Sequence, residues 1–167
     1  MIIGRETAAN PLYRGCIAIL LLVCSFFSAC SNPTRVDDPS REAGRKFSSL
    51  ADSFIQSSTA LTDDLNKALI TGEFASIAGS ATSRIITLSD TLSEMEKLLP
   101  LMHQNLVEIA SEITDAGKIW IGAAQDALDA GLASDAPRFA QARAVLDRER
   151  QRFNLGVRKW NVTIEAA

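Results

Sequence analysis

The sequence predicts an all-α fold, and three observations support that prediction. Apolar residues recur at alternating steps of three and four in four successive segments between residues 47 and 164, which is the spacing of one face of an amphipathic helix. The β-branched cluster Ile85-Ile86-Thr87 lies inside this helical period, so it does not indicate a strand. Gly and Pro residues separate the segments. We therefore expect residues 41–167 to form an antiparallel four-helix bundle with coiled-coil packing.

The first two segments each have one apolar stripe. The first helix is expected to begin near Arg41, with Ser40 as its N-cap, and to end at Gly72. The residues of its stripe are Phe47, Ala51, Phe54, Ser58, Leu61, Leu65 and Ala68. The second stripe is Phe74, Ala78, Ala81, Ile85, Leu88, Leu92, Met95 and Leu99, and Pro100 follows it directly.

Pro100 leaves two architectures open. Proline lacks a backbone N–H and disfavours helix at the preceding residue, which predicts that the chain folds back here. The heptad phase nevertheless continues from Leu99 to Met102, so the alternative is one long helix kinked at Pro100, a rod that requires an oligomer to cover its apolar surface. The next segment is apolar over most of its circumference, and the bundle buries that surface better.

The third and fourth segments complete the bundle. The third stripe is Met102, Leu106, Ile109, Ile113, Ala116, Trp120, Ala123, Ala127 and Ala130, and it stops at Gly131. Ser134-Asp135-Ala136-Pro137 is a turn with capping residues. The fourth stripe is Phe139, Ala142, Leu146, Glu149, Phe153, Gly156, Trp160 and Ile164.

Two kinds of residue on these helices need a structural explanation. Glu149 is the one charged residue on a stripe. Either it lies at the edge of the seam, where its carboxylate reaches solvent or pairs with Arg148, Arg152 or a lysine of a neighbouring helix, or it forms a buried polar layer with Ser58. Glycine costs about 1 kcal/mol relative to alanine inside a helix. We therefore expect the glycines within the segments to permit close helix approach; they are Gly79, Gly117, Gly122 and Gly156.

The N-terminal segment has the layout of a secretory signal. An apolar run from about Cys16 to Phe27 follows Arg5 and Arg14, and it is too short to span a bilayer core of about 30 Å. The ending Phe27-Ser28-Ala29-Cys30 resembles a bacterial lipobox. That resemblance implies removal of residues 1–29 and lipid attachment at Cys30. The alternatives are an ordinary cleaved signal, a short uncleaved anchor or a buried helix of a soluble fold.

The residues after Cys30 complete the expected anchor. Residues 31–40 are polar, contain Pro33 and Pro39 and have no apolar period, so residues 30–40 are expected to be a lipidated cysteine followed by a flexible tether. In the proteobacterial lipoproteins that this segment resembles, Ser31 implies export to the periplasmic face of the outer membrane, provided that the envelope is Gram-negative.

Charge is distributed unevenly after the signal. Residues 47–135 hold 13 acids and 4 bases, whereas residues 136–167 hold 3 acids and 7 bases. Either the basic last helix is neutralised by the acidic helices beside it, or it presents a basic face to anionic headgroups or an acidic partner. A net acidic, exported chain without interleaved aromatic and basic residues is not expected to bind nucleic acid.

The residues that usually carry catalysis or metal binding are scarce. His103 is the single histidine, so the chain lacks the paired Glu-x-x-His motifs of di-iron bundles, and it has no Cys-x-x-Cys-His for covalent haem. His103 is expected at the surface or as a helix cap. We expect no enzymatic activity, no metal and no cofactor.

The last helix contains Arg152-Phe153-Asn154, then Val157, Trp160-Asn161 and Ile164. This pattern resembles the C-terminal helix of the LemA family, whose members are helical, membrane-anchored envelope proteins. The resemblance covers about 17 residues of this chain and implies no activity or ligand. From spacing alone, Phe153, Val157, Trp160 and Ile164 form one buried face.

Two functions follow as hypotheses. The first is a non-enzymatic, membrane-anchored interaction or scaffolding module for an envelope protein partner, with oligomerisation left open. Its candidate partner face is Trp120, Arg143, Arg150, Asn154, Arg158 and Asn161. The alternative is a carrier or sensor that holds a hydrophobic ligand or haem in the bundle core, in a cavity lined by Ala116, Gly117, Trp120 and Ala123.

Overall fold

The computed structural model describes residues 38–165 and places nearly all of them in four α-helices. The helices are α1 (Pro39–Thr71), α2 (Phe74–Leu98), α3 (Gln104–Leu132) and α4 (Ala136–Glu165). Short connections join helices that pack against each other, and α3 and α4 pack most closely. The predicted all-α antiparallel four-helix bundle is confirmed. No helix in the described part of the chain is both long and apolar enough to span a bilayer.

The start of α1 differs from the prediction by two residues. Asp38 is the N-cap, because its Oδ1 accepts a hydrogen bond from the Ser40 backbone N–H at 3.0 Å. Pro39 follows at the first helical position, where its missing N–H costs nothing. Ser40 is therefore not the cap, and its Oγ accepts a hydrogen bond from the His103 backbone N–H at 3.1 Å. The predicted end is confirmed, with Gly72 left-handed at φ 74°.

The chain reverses after Pro100, which excludes the kinked rod. Leu99–Leu101 form a 3₁₀ turn, and the backbone then becomes extended at Met102 and at His103, the N-cap of α3. The α-helix ends at Leu98, before the proline as expected, although Leu99 keeps helical dihedral angles within the 3₁₀ turn. The backbone becomes extended two residues beyond Pro100.

The end of α3 also differs from the prediction. The helix passes through Gly131 and ends at Leu132. In the connection from α3 to α4, Ser134 has a positive φ of 56°. Gly131 is needed for packing, since a Cβ there would overlap the ring of Phe74. The predicted capping is present, because Asp135 Oδ1 accepts from the Arg138 backbone N–H at 3.1 Å.

The four stripes form one core along the bundle. Nearly every predicted stripe residue is buried; the half-buried exceptions are Ala78, Leu99, Ile109 and Ile164. Aromatic pairs join α1 to α4, with ring centroids 4.6 Å apart for Phe47 and Trp160 and 4.7 Å apart for Phe54 and Phe153. The beginning of α1 thus lies beside the end of α4, as an antiparallel bundle requires.

Only some of the helical glycines permit close packing. A Cβ at Gly117 would lie 2.7 Å from Leu92 Cδ1, and one at Gly156 would lie 2.6 Å from Ile113 Cγ1. A Cβ at Gly79 or Gly122 would meet nothing within 4 Å, so the expectation of close packing is wrong for these two positions.

Candidate functional site

The predicted anchor lies outside the described residues. The signal at residues 1–29, the lipidation site at Cys30 and the tether up to residue 37 are therefore still sequence predictions. The structure begins at Asp38, where the first turn of α1 is capped.

Five of the six candidate partner residues lie on one flank of α4. They are separated by seven, four, four and three residues, so they share one side of the helix; they are Arg143, Arg150, Asn154, Arg158 and Asn161. We call this set the α4 flank. Arg143, Arg158 and Asn161 are exposed, whereas Arg150 and Asn154 are half-buried beside α1.

The bases of α4 are neutralised on one side of the helix more than on the other. Towards α3, Arg138 pairs with Asp126 at 3.0 Å and Lys159 pairs with Glu112 at 3.2 Å. These pairs are the neutralisation between packed helices that the charge distribution predicts. On the α4 flank, Arg143 and Arg158 form no ion pair with any residue between 38 and 164.

Arg150 is the third base of the α4 flank, and its pairing is weak. Its guanidinium lies 3.6 Å from Asp147 Oδ1 on the same helix, and the side chain is partly exposed. A pair of this kind contributes little to stability, because solvent screens it. The guanidinium can therefore turn to another acceptor at small cost.

Trp120 does not lie on the surface with the other five candidate residues. It is 1% exposed, which corrects its assignment to the candidate partner face. Its Nε1 is buried and has no hydrogen-bond partner among the described residues. The other tryptophan, Trp160, is also buried, but its Nε1 donates to Ser48 Oγ at 2.8 Å.

A cleft between α1 and α4 nevertheless brings Trp120 together with Arg150 and Asn154. The remaining lining residues are Phe54, Ile55, Ser58, Thr59 and Phe153. The cleft has a volume of about 20 Å³, so it admits only a small group. We call it the Trp120 cleft. The sequence prediction that Ser58 is buried is confirmed. Sequence reasoning missed Thr59, because whether an exposed residue lines a cleft depends on how far apart the two helices lie.

The hydroxyl groups in the Trp120 cleft bond within their own helix. Ser58 Oγ and Thr59 Oγ1 donate to the Ile55 carbonyl oxygen at 3.0 and 2.8 Å. The predicted polar layer of Ser58 with Glu149 is not formed in the described structure. Glu149 is 3% exposed, and its carboxylate accepts from Arg148 Nε at 2.7 Å and lies 3.5 Å from Arg152. The alternative, pairing with these two arginines, is confirmed.

His103 lies at the end of the bundle where α1 begins. It is 65% exposed at the N-cap position of α3, as expected of a cap or surface histidine, and its Nε2 lies 3.4 Å from Asp38 Oδ2. A cleft of about 220 Å³ at this end is lined by both residues, with Ser40, Arg41, Leu106 and Ile164. Within residues 38–164, no three His, Cys, Asp or Glu side chains are placed to hold a metal ion.

The carrier hypothesis placed a cavity at Gly117, Ala116, Ala123 and Trp120. The space beside Gly117 is instead filled, because a Cβ there would meet Leu92, Phe153 and Phe54 within 3.5 Å. Ala116 is fully buried, and Ala123 lines an open surface groove between α3 and α4 with Ile119 and Gly122.

Ion pairs shift three pKa values on α2 and α3. A hydrogen bond from Lys97 lowers the pKa of the Glu94 carboxyl and raises that of the Lys97 ammonium group. The hydrogen bond to Glu96 likewise raises the pKa of Lys118 and ties α3 to α2. These groups are exposed, so they describe a solvated surface and do not mark a reactive site.

Comparisons of the chain with protein-family models, with curated proteins and with solved structures gave no match. The resemblance of residues 152–164 to the LemA family therefore stays a sequence prediction. In the structure Phe153 and Trp160 of this segment are buried, and Val157 and Ile164 are half-buried against the core.

Proposed function

We propose that this protein is an exported lipoprotein, anchored through Cys30, whose helical bundle is a non-enzymatic interaction module for an envelope protein partner. The observation that carries the partner proposal is the α4 flank, where Arg143 and Arg158 are exposed and have no ion pair with any described residue. Unneutralised bases on an exported, net acidic chain favour an acidic partner.

The anchor sets how far the bundle lies from the membrane. Eight residue steps separate Cys30 from Asp38, and a fully extended chain covers at most about 28 Å over that length. The start of α1 therefore lies no more than about 28 Å from a lipid attached at Cys30. Asn161 is the residue of the α4 flank at this end of the bundle, and Arg143 is the farthest from it.

The spacing of the bases favours a protein partner. Arg143 and Arg158 are 15 residues apart on one helix, which corresponds to about 22 Å at 1.5 Å per residue. Asn154 lies between them, and amides can both donate and accept. A row of cationic and amide groups of this length can pair with the acidic side chains of one helix or strand.

The anchor is tested by the intact mass of the protein extracted from the membrane fraction. A mature chain that starts at Cys30 and carries a diacylglyceryl group is expected, and Cys30→Ala should abolish both features. Cys24→Ala is the matched control, since Cys24 lies in the predicted signal and its loss should leave the mature mass unchanged. An unmodified chain that starts elsewhere contradicts the anchor.

The partner is tested by photocrosslinking in intact cells. A photoreactive residue at Arg158 or Arg143 is expected to capture a protein, whereas the same residue at Ile86, which is 56% exposed on α2, should not. A product with the mass of two chains identifies a second copy as the partner. Failure to capture any protein, together with a small molecule bound to the purified chain, overturns the interaction module in favour of a carrier.

A further inference from the structure

The Trp120 indole is a hydrogen-bond donor without an acceptor. Its Nε1 is buried and unpartnered among the described residues, whereas the Trp160 Nε1 donates to Ser48 Oγ. Buried tryptophan N–H groups usually have a partner, because an unpaired donor loses its bond to water on folding. Trp120 is one of the residues that line the Trp120 cleft.

The groups around the cleft favour an anionic acceptor. Arg150 and Asn154 contribute guanidinium and amide N–H donors, and an arginine has no acceptor atom. The hydroxyl groups of Ser58 and Thr59 donate within α1. A carboxylate suits the guanidinium and amide donors, since it accepts several hydrogen bonds and carries the charge opposite to that of Arg150.

The size of the cleft determines how much of a ligand can enter. About 20 Å³ admits only a small terminal group. The walls beside it are aromatic, with Phe54 stacked on Phe153 at 4.7 Å and placed edge-on to Trp120 at 6.0 Å. The rest of the ligand must therefore lie outside, along the α4 flank, where Arg143 and Arg158 continue the positive charge. A carboxylate at the end of a short methylene stem, as in an acidic side chain, fits this geometry.

We propose that the Trp120 cleft is the anchoring pocket of the α4 flank for an acidic protein segment. In the complex an Asp or Glu side chain enters the cleft, and its carboxylate accepts from Trp120 Nε1 and pairs with Arg150. The 3.6 Å contact of Arg150 with Asp147 gives way to this pair. The inference rests on the proposed function, because it names the chemistry of the partner that the α4 flank binds.

The test uses the two indole N–H signals of the full chain, purified in detergent and labelled with ¹⁵N-tryptophan. Trp160→Phe leaves one signal and so assigns both. Titration with a hexaglutamate peptide is expected to shift the Trp120 signal and leave the Trp160 signal in place. Hexaglutamine is the neutral counterpart and should move neither signal.

Two variants on the same flank separate the pocket from general charge attraction. Arg150→Gln is expected to weaken hexaglutamate binding about tenfold or more, because it removes a charge-assisted hydrogen bond. Arg143→Gln removes the same charge two turns away, outside the cleft, and should weaken binding much less. Equal effects of the two variants would overturn the pocket.

The remaining outcomes also decide the proposal. If the Trp120 signal shows a contact with water and does not respond to the peptide, the cleft holds a water molecule and the proposal is wrong. If free glutamate shifts the signal as strongly as the peptide at equal carboxylate concentration, the pocket takes small carboxylates and the protein segment is excluded.

The test of the pocket is independent of the test of the function. If the photoreactive residue at Arg158 captures a partner but the Trp120 signal does not respond to the peptide, the interaction module is supported and the pocket proposal is wrong. If the peptide shifts the Trp120 signal but the chain is not lipidated at Cys30 and captures no protein, the pocket is supported and the proposed function is wrong.

Discussion

Glycines of the same helix differ in the space that surrounds their missing side chain. In α3, Gly131 lies against the Phe74 ring, which in turn packs edge-on against Phe139 with centroids 5.4 Å apart. Gly122, nine residues earlier, faces open space. The first glycine is therefore required by packing, whereas the second only weakens the helix.

Alanine at these two positions should have opposite effects on stability. Gly131→Ala forces the Phe74 ring to move, and overpacking of this kind costs about 1–3 kcal/mol. Gly122→Ala should stabilise the protein by about 0.5–1 kcal/mol, because alanine is the better helix former and meets no neighbour. Urea unfolding of both variants measures the difference. Destabilisation by Gly122→Ala would mean that its open face is covered in solution.

Glu149 is a buried carboxylate that two arginines of its own helix neutralise. The side chains of Arg148 and Arg152 are largely exposed, so they remain solvated when the carboxylate is removed. Replacement of a buried ion pair by a hydrophobic side chain is often neutral or stabilising.

Glu149→Leu should therefore keep the free energy of unfolding or raise it by about 1 kcal/mol. Glu149→Gln is the matched control, and it should destabilise by about 1–3 kcal/mol, because its buried amide N–H groups find no acceptor. Thermal unfolding measures both. A loss of several kcal/mol with leucine would indicate that the carboxylate has a structural role beyond its two arginine partners.

At the level of elements, the connection between α2 and α3 is held by a contact with α1. His103 is the N-cap residue of α3 and its side chain makes no capping bond. Its backbone N–H donates to Ser40 Oγ, which lies in the first turn of α1. This bond joins two helix starts that are 63 residues apart in the chain.

Ser40→Ala should lower the free energy of unfolding by about 0.5–1.5 kcal/mol, the usual net value of one hydrogen bond. Amide hydrogen exchange should become faster at His103 and in the first turn of α3. Ser53→Ala is the control, since Ser53 is exposed on the same helix and bonds only to the Ser49 carbonyl oxygen. Equal losses of unfolding free energy in the two variants would show that the hydrogen bond between α1 and α3 contributes nothing to stability.

At the level of the whole molecule, residues 38–165 form a single compact unit with one continuous core. Each helix contributes a full-length stripe to that core, so no helix can leave it without exposing apolar surface. Cooperative, two-state unfolding is expected of such a domain.

A chain that begins at Asp38 should therefore fold and unfold like the full protein. Its urea midpoint by tryptophan fluorescence should coincide with that by circular dichroism, because Trp120 and Trp160 report on the same core as the helices. A chain that begins at Ser48 loses Phe47, the aromatic partner of Trp160, and should be less stable by about 3–5 kcal/mol. Separate transitions for the two probes would contradict a single cooperative unit.

The sequence by itself determined the helices, their buried faces and the fold class. The reason is that hydrophobic periodicity is a local property, and each stripe here needs only its own residues to identify it. The burial of Phe47, Trp120 and Trp160 follows from that periodicity. The resemblance of the N-terminal segment to a lipobox is local in the same way, so the prediction of Cys30 as the lipidation site also needed only sequence.

Only the tertiary structure decided which residues meet across helices. The site of the break after Pro100, the bond between Ser40 and His103 and the packing of Gly131 on Phe74 each depend on a neighbour far away in sequence. The same holds for the Trp120 cleft, because the distance between α1 and α4 determines whether Arg150 and Asn154 line one cleft with Trp120. Periodicity gives the direction in which a side chain points, whereas helix separation, which depends on all the packed side chains together, determines what it meets there.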